Sequence, residues 1–433
     1  MQIQSTVESS TAVAPTKRVL PPLSPRKFVA VVAACMGFSA LSIDLALPAF
    51  ADIRSEFGLA ADSSSVSSLI TMYFLGLAAG QVVFGPMSDR FGRKPILCVG
   101  FSVCAIGAFG AALAPSLAGV YACRVLWGVG AAAPRSVAMA MVRDTQQGKD
   151  MARTMSMAMA VFLIVPILAP TAGELMLLIS PWRIVFVVPG VAALAIMAWI
   201  MRRLPETLAV EHRRSVSPKS LLSALGQVLR NRQTAGLGLA IAFLFGAMTT
   251  FIGSAELLVG DVFDRSAMFA LLFGLVGCVL GAAALLNARL VMRYGVDTML
   301  KFGSLYVVVA GVAMFAVSRV NDGAPPLWMF WTSVICFMPG VSMLTPNCNS
   351  AAMVPLPHVA GMASAVLGAV SIAGGAVLGS VADNAFDGTV GPFATHALIY
   401  AVLGSLSINV LAHKRRTVDA ASVEPVVEPV GVI

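Results

Sequence analysis

Two charged residues stand inside long apolar runs of this 433-residue chain, Asp44 in the first run and Arg124 in the fourth. If these runs cross a membrane, each charge costs about 2.5–3.5 kcal/mol unless it is neutral, paired or hydrated. A carboxylate that gains and loses a proton near a fixed cation can couple proton movement to another event. Asp44 and Arg124 are therefore candidate proton-coupling residues.

A second candidate group is the stretch GPMSDRFGRKP, which starts at Gly85 and separates two apolar runs. Gly85 and Gly92 allow close backbone approach or a turn, because they lack a Cβ. Asp89 can accept hydrogen bonds from a helix start or an arginine. Arg90 and Arg93 favour the cytoplasmic side of a membrane. This pattern indicates a short ordered loop on the cytoplasmic side.

Composition identifies the class of element that carries these residues. The chain is 58% hydrophobic and 12% charged, whereas soluble domains carry about 25% charged residues. Apolar runs of roughly 20 residues are long enough to cross a bilayer. The sequence therefore predicts an all-α integral membrane protein with twelve transmembrane helices, near 28–50, 66–86, 95–114, 117–141, 154–178, 184–201, 236–257, 267–286, 298–318, 327–349, 360–382 and 393–412.

The predicted spans place Asp44 and Arg124 at matching depth. Span one ends near Phe50, so Asp44 lies about 9 Å below that surface at 1.5 Å per residue. Span four begins near Leu117, so Arg124 lies about 10 Å below the same surface. The two residues could pair, could compete for one site as the carboxylate gains and loses a proton, or could form a permanent ion pair that only packs the helices.

Basic residues indicate the orientation. Of the 29 Lys and Arg, 23 fall on one side of the predicted spans and four on the other; Arg124 and Arg135 lie within a helix. Basic residues collect on the cytoplasmic side, so we expect a bacterial inner-membrane protein with both termini cytoplasmic. The net charge of +8 then reflects orientation and contact with the lipid bilayer, and no nucleic-acid partner is expected. We expect a monomer.

A polar central stretch divides the spans into two halves of six. Its segment from Pro218 to Leu229 is amphipathic, and the two ends of the chain are polar tails that we expect to be disordered. The predicted organisation is a cytoplasmic tail (1–26), an N-terminal half (27–201), a central cytoplasmic loop (202–233), a C-terminal half (234–413) and a second cytoplasmic tail (414–433). In the second half, a loop is predicted from Asn287 to Leu300.

The residue types argue against catalysis. The seven cysteines lie in apolar segments without histidine partners, so neither a metal site nor a cofactor is expected. No nucleophile motif or phosphate-cradling loop is present. We expect a protein that is not an enzyme.

Several motifs carry a family resemblance. The stretch from Gly85 to Pro95 resembles the loop between the second and third helices of major facilitator transporters. The segment SIDLALPAFADI, from Ser42, is similar to the first-helix motif of the drug/proton antiporters. The segments RVLWGVGAAAPRSVAMAMVRD, from Arg124, and NCNSAAMVPLPHVAGMASAVLGAV, from Asn347, are similar to the bicyclomycin-resistance (Bcr/CflA) branch, as is the PET that ends near Glu206.

The resemblance implies a major facilitator fold and a proton-coupled exporter. In such a protein Asp44 is linked to protonation, Arg124 is the motif arginine, and Asp89 and Arg93 act in a gating loop. The gating-loop residues are then Gly85, Asp89, Arg90, Gly92 and Arg93. The fifth helix departs from the family pattern, because its glycine-rich run is missing and only Pro170 and Gly173 match. We expect Pro166, Pro170 and Gly173 to bend this helix.

Further polar residues could face a central cavity between the halves. Glu256 either reaches interfacial water or attracts a cation at the cavity mouth. The possible substrate-contacting residues are Tyr73, Gln81, Glu256, Asn347 and Asn349. Interhelical packing explains such residues equally well.

The favoured function is efflux of an amphipathic drug-like small molecule in exchange for protons, by alternating access. The first alternative is proton-coupled symport or facilitated uptake of a small metabolite, which differs in the direction of flux. A non-transporting membrane receptor or enzyme is the remaining alternative.

The orientation predicts which cysteine probes react in intact cells. In a cysteine-free background, Ser217→Cys should react only with a membrane-permeant thiol reagent, whereas Ser63→Cys should react with an impermeant one, because basic loops stay cytoplasmic. Labelling of position 217 by the impermeant reagent would refute this orientation.

Overall fold

The computed structural model describes residues 24–213, 218–356 and 360–411, and this part of the chain contains thirteen α-helices. Most of both predicted tails, and position 217, lie outside the described residues. The helices are α1 Pro25–Asp44, α2 Phe50–Glu56, α3 Ser68–Phe91, α4 Arg93–Leu113, α5 Leu117–Thr145, α6 Gly148–Leu177, α7 Ile184–Arg203, α8 Pro218–Arg230, α9 Arg232–Leu257, α10 Phe269–Ser318, α11 Leu327–Met353, α12 Ala360–Asn384 and α13 Gly391–Leu406.

The helix lengths confirm the membrane class and the twelve crossings. Eleven helical segments of the described chain are long and apolar enough to span a bilayer. One of them, Ser266–Ser318, has 53 residues, which is more than twice the length that a bilayer requires. Its helix α10 is interrupted at Gly295, where φ is 79°, so the segment supplies two crossings.

The loop predicted from Asn287 to Leu300 is wrong. Both flanks are helical, and Gly295 is the one residue of α10 with non-helical backbone angles. Glycine adopts a positive φ without the steric cost that a Cβ imposes. One glycine therefore reverses the chain where a loop of several residues was expected.

The first half uses the same device at Gly92, which alone separates α3 from α4 and has φ 102°. The predicted loop at this position is therefore wrong in its extent. Gly85, Asp89 and Arg90 belong to the last turns of α3, and Arg93 is the first residue of α4. The predicted gating-loop residues thus lie at two helix ends.

Small residues set the packing within the first half. A Cβ added at Gly128 of α5 would lie 2.0 Å from the Tyr73 carbonyl oxygen of α3. A Cβ at Gly76 of α3 would lie 2.1 Å from the Val125 carbonyl oxygen. In a membrane no hydrophobic driving force brings helices together, so they associate through such close backbone contact. The two glycines hold α3 and α5 together and fix the rotation of α5 beside α1.

The two halves meet at the end of the bundle that carries Arg54, which we call the Arg54 end; the opposite end carries Gly92 and is called the Gly92 end. Ser67 Oγ donates to the Gly253 carbonyl at 2.7 Å, and Arg54 binds Glu256 at 2.7 Å. The Ala270 N–H donates to Glu174 Oε1 at 3.2 Å. The hydrogen bonds between the halves cluster at the Arg54 end, which is therefore closed in this conformation.

Candidate functional site

Asp44 is the last residue of α1 and is buried, with 4% of its surface exposed. The helix is followed by a 3₁₀ turn, Leu47–Ala49, that contains Pro48. No described residue donates a hydrogen bond to the Asp44 carboxylate. A carboxylate within a span is tolerated when it is neutral, paired or hydrated, and Asp44 is not paired with any described residue. The carboxylate must be neutral or reached by water.

Arg124 is fully buried in α5 and is stabilised by backbone oxygens and aromatic rings. Its Nη1 donates to the Ser42 carbonyl at 2.9 Å, and its Nε donates to the Leu69 carbonyl at 3.3 Å. Its Nη2 is buried without a partner. The guanidinium carbon lies 4.9, 5.1 and 5.9 Å from the ring centroids of Tyr73, Trp127 and Phe186, within the range of a cation–π interaction.

Asp44 and Arg124 form no salt bridge in this conformation. The pairing that their matching depth suggested is therefore absent. Arg124 instead binds the Ser42 carbonyl, two residues before Asp44. Nη2 is the guanidinium nitrogen that remains free to bind an ionised Asp44 or a water molecule.

At the Gly92 end, Arg93 connects three helices. Its Nη1 donates to Asp89 Oδ1 at 2.5 Å and to Ser88 Oγ at 2.7 Å, and its Nε donates to Asp144 Oδ2 at 2.7 Å. The Arg93 side chain is 6% exposed, that of Asp144 20% and that of Asp89 46%. Charge-assisted hydrogen bonds of this kind are about twice as strong as neutral ones. Arg93 therefore fixes α3, α4 and α5 to each other at this end.

Glu206 joins the segment after α7 to the same site. Its carboxylate accepts from the backbone N–H groups of Arg93 at 2.8 Å and of Lys94 at 3.2 Å. It also accepts from the N–H groups of Thr207 and Leu208, at 3.1 and 3.0 Å. The first N–H groups of a helix have no intrahelical acceptor and attract anions. Glu206 thus caps α4 from about 110 residues away in sequence.

Glu256 binds the other half of the molecule. Arg54 Nη2 lies 2.7 Å from both Glu256 oxygens, and the two side chains are 4% and 12% exposed. Neither interpretation of Glu256 from the sequence included this ion pair. Arg54 follows the first predicted span, so the sequence assigns it to an external loop. Arg54 Nη1 is buried without a partner.

The sequence did not single out a further buried carboxylate. Asp383 of α12 is 4% exposed. It accepts a hydrogen bond from Ser254 Oγ at 2.7 Å. Its position near the end of the eleventh predicted span, without a charged neighbour in sequence, gives no clear signal.

The predicted substrate-contacting residues divide into two groups. Tyr73 is fully buried beneath Arg124, and Asn347 is buried and donates to Asn287 Oδ1 at 2.9 Å. These two therefore pack helices together and do not line a cavity. Gln81 is half-buried, and Asn349 is exposed, so both remain available to a ligand.

Pro166, Pro170 and Gly173 all lie inside α6, which is continuous from Gly148 to Leu177. A Cβ at Gly173 would lie 2.6 Å from the Leu45 carbonyl oxygen. Gly173 therefore allows α6 to approach the chain immediately after Asp44. The bend in this helix stays a prediction.

Several known proteins are similar to this chain in sequence or in fold. The family profile described as Major Facilitator Superfamily matches residues 32–380. A bicyclomycin resistance protein homolog of Haemophilus influenzae is 25% identical over 372 residues, covering 86% of this chain and 91% of that protein. Multidrug resistance protein D of Escherichia coli is 26% identical over 339 residues, covering 77% and 83%. The crystal structure of a D-xylose-proton symporter has a TM-score of 0.70 at 14% identity, covering 89% of this chain and 98% of that one.

The Arg93 geometry predicts unequal effects of its two carboxylate partners on stability and transport. Asp144→Asn should destabilise the fold by about 1.5–3 kcal/mol, the contribution of a hydrogen bond to a charged group, and should lower transport about tenfold. Asp89→Asn should lower transport less and leave abundance near normal, because water reaches this half-exposed side chain. Thermal melting and uptake into vesicles would measure both effects.

The exposed residue Asp150, in the first turn of α6, provides the control. Asp150→Asn should behave like the parent in both assays. Equal effects of the Asp144 and Asp89 substitutions would contradict the assigned roles.

Proposed function

The chain belongs to the Major Facilitator Superfamily, and from this premise we propose that it exports amphipathic, drug-like small molecules in exchange for protons. The names of the Haemophilus influenzae and Escherichia coli relatives support a drug-resistance role. Their similarity extends over most of each chain, so it includes both halves.

One observation carries the coupling proposal: a buried carboxylate without a donor lies beside a buried arginine with a free nitrogen. In the conformation with the Arg54 end closed, Arg124 is held by carbonyls and rings, and Asp44 is left without a bond. A neutral, protonated Asp44 fits this environment. An ionised Asp44 would need Arg124 Nη2 or water, and either requires a rearrangement near the closed end.

This difference couples protonation to conformation. A group that is tolerated in one state only when protonated shifts the population toward that state when it binds a proton. Protons that enter from outside would therefore favour closure of the Arg54 end and opening of the Gly92 end. Loss of the proton to the cytoplasm would favour the reverse, in which a bound substrate is released outside.

The ion pair at the Arg54 end would make this exchange two-state. Arg54–Glu256 can form only while the halves touch at the Arg54 end, whereas the Arg93 site lies within the first half and its linker. Leaving either buried partner unpaired is costly. Water that enters as the halves separate would offset this cost at the Arg54 end.

Localisation follows from the same proposal. The two relatives are bacterial proteins named for drug resistance, and the basic residues favour the Gly92 end as the cytoplasmic side. We place the protein in the bacterial inner membrane, with both termini cytoplasmic and the Arg54 end outside, acting as a monomer in the lipid bilayer. Transport in this proposal involves no catalytic step and no cofactor.

The proposal predicts that Asp44→Asn abolishes flux driven by a pH gradient, because the side chain can no longer change charge. Bicyclomycin is the first compound to test, followed by any binder from a thermal-shift screen. Arg124→Ala should also disable transport. The double variant should be no worse than the more damaged single variant if the two residues form one switch. Reconstituted vesicles with an imposed pH gradient provide the assay.

Asp383→Asn is the matched control, because Asp383 is buried to the same 4% but accepts a hydrogen bond from Ser254. It should retain gradient-driven flux. Unchanged flux in Asp44→Asn would remove Asp44 from the mechanism. Movement of substrate in the same direction as protons would favour the uptake alternative.

A further inference from the structure

Arg135 is a charged residue of α5 that the mechanism above does not use. It follows Arg124 by three helical turns, about 16 Å along the axis. It lies more than two turns before α5 ends at Thr145, so it stands well inside the span. Three turns place Arg135 on the same face of α5 as Arg124, whose guanidinium points toward α1 and α3, and Arg135 is exposed on this face. The side chain therefore borders an internal space.

The exposure of Arg135 distinguishes it from other charges within the spans. Asp44, Arg124 and Asp383 are each at most 4% exposed. No acidic side chain of the described residues forms a salt bridge with Arg135; its guanidinium carbon lies 5.8 Å from the ring centroid of Phe162 in α6. Arginine does not lose its proton in proteins. The charge must therefore be compensated by water or by a ligand in that space.

Gln81 borders the same region. A Cβ on the neighbouring Gly80 would lie 2.9 Å from the Ala132 Cβ, so Gln81 lies within about one turn of the level of Arg135. A Cβ at Gly368, in α12 of the other half, would lie 2.6 Å from Gln81 Nε2. Gln81 is half-buried, and no described residue accepts a hydrogen bond from its amide. Gln81 thus offers a second donor, next to the other half and about one turn from the level of Arg135.

We propose that this internal space binds amphipathic anions, with the anionic group of the substrate on the Arg135 guanidinium. The planar guanidinium offers two parallel donors to a carboxylate or sulfonate. Gln81 supplies a neutral donor, and Phe162 packs against the apolar part of the ligand. This inference rests on the proposed transport function, because it names the substrate class of that function.

A matched pair of probes tests the inference without requiring transport. Dansyl-β-alanine carries a carboxylate, and dansyl-β-alaninamide replaces it with a neutral amide of almost the same shape. Binding to the full chain in nanodiscs of uncharged lipid is followed by dansyl fluorescence. The parent should bind the acid at least tenfold more tightly than the amide, since a hydrogen bond between charged groups contributes about this much.

Two variants of Arg135 separate a binding role from a structural one. Arg135→Gln should lose at least tenfold in affinity for the acid and change less than twofold for the amide. Arg135→Lys should recover part of the affinity for the acid, because it restores the charge but not the two parallel donors. Arg143→Gln removes another exposed arginine of α5, near its end, and should bind both probes like the parent.

Each outcome decides the inference. It is overturned if the parent does not prefer the acid, if Arg135→Gln weakens both probes equally, or if Arg143→Gln reproduces the loss. Failure of the proposed function appears elsewhere, as the absence of flux driven by a pH gradient. Gradient-driven export without a preference for the acid would leave the function standing and reject the anion site. A preference for the acid without proton-driven flux would do the opposite.

Discussion

The burial of charge in a bundle that crosses a membrane is the constraint on which this structure depends. Water cannot solvate a fully buried guanidinium, so the protein must do so. Arg124 donates hydrogen bonds to two backbone carbonyls and makes cation–π contacts with three aromatic rings. These groups come from α1, α3, α5 and α7, and their positions require the close approach of α3 and α5 that Gly76 and Gly128 permit. The arginine is thus solvated in full except at Nη2, and its neighbour Asp44 is not solvated by any described donor.

The two ends of the bundle pair their buried charges in different ways. At the Gly92 end, Arg93 and Glu206 lie within the first half and the segment that follows it, and each has several partners. Movement between the halves therefore leaves this group intact. At the Arg54 end, Arg54 and Glu256 belong to different halves. Movement there must break their ion pair, so the energetic cost of opening is concentrated at one end.

The sequence allowed the class and the helix count to be predicted, because apolar length alone determines which segments can cross a bilayer. It also gave Asp44 and Arg124 the same depth, since the rise per residue is constant. It did not give the rotation of each helix about its axis, and that rotation directs Arg124 to the Ser42 carbonyl instead of the Asp44 carboxylate. The partners of Glu256 and Asp383 are 202 and 129 residues away, so no local spacing identifies them. The loops at Gly92 and Gly295 were predicted too long because charged residues mark a membrane surface whether or not the helix has ended.

The most direct test of the account measures the distance between the halves at the Arg54 end as a function of pH. Spin labels on Asp62→Cys and Asp387→Cys, two exposed positions in opposite halves, report this distance by double electron–electron resonance in a cysteine-free background. If protonated Asp44 stabilises the closed Arg54 end, the distance is short at acidic pH, and a population of longer distances grows as the pH rises. With Asp44→Asn the short distance should persist at every pH. The same pH-dependent change in parent and Asp44→Asn would contradict the claim that protonation of Asp44 controls which end is open.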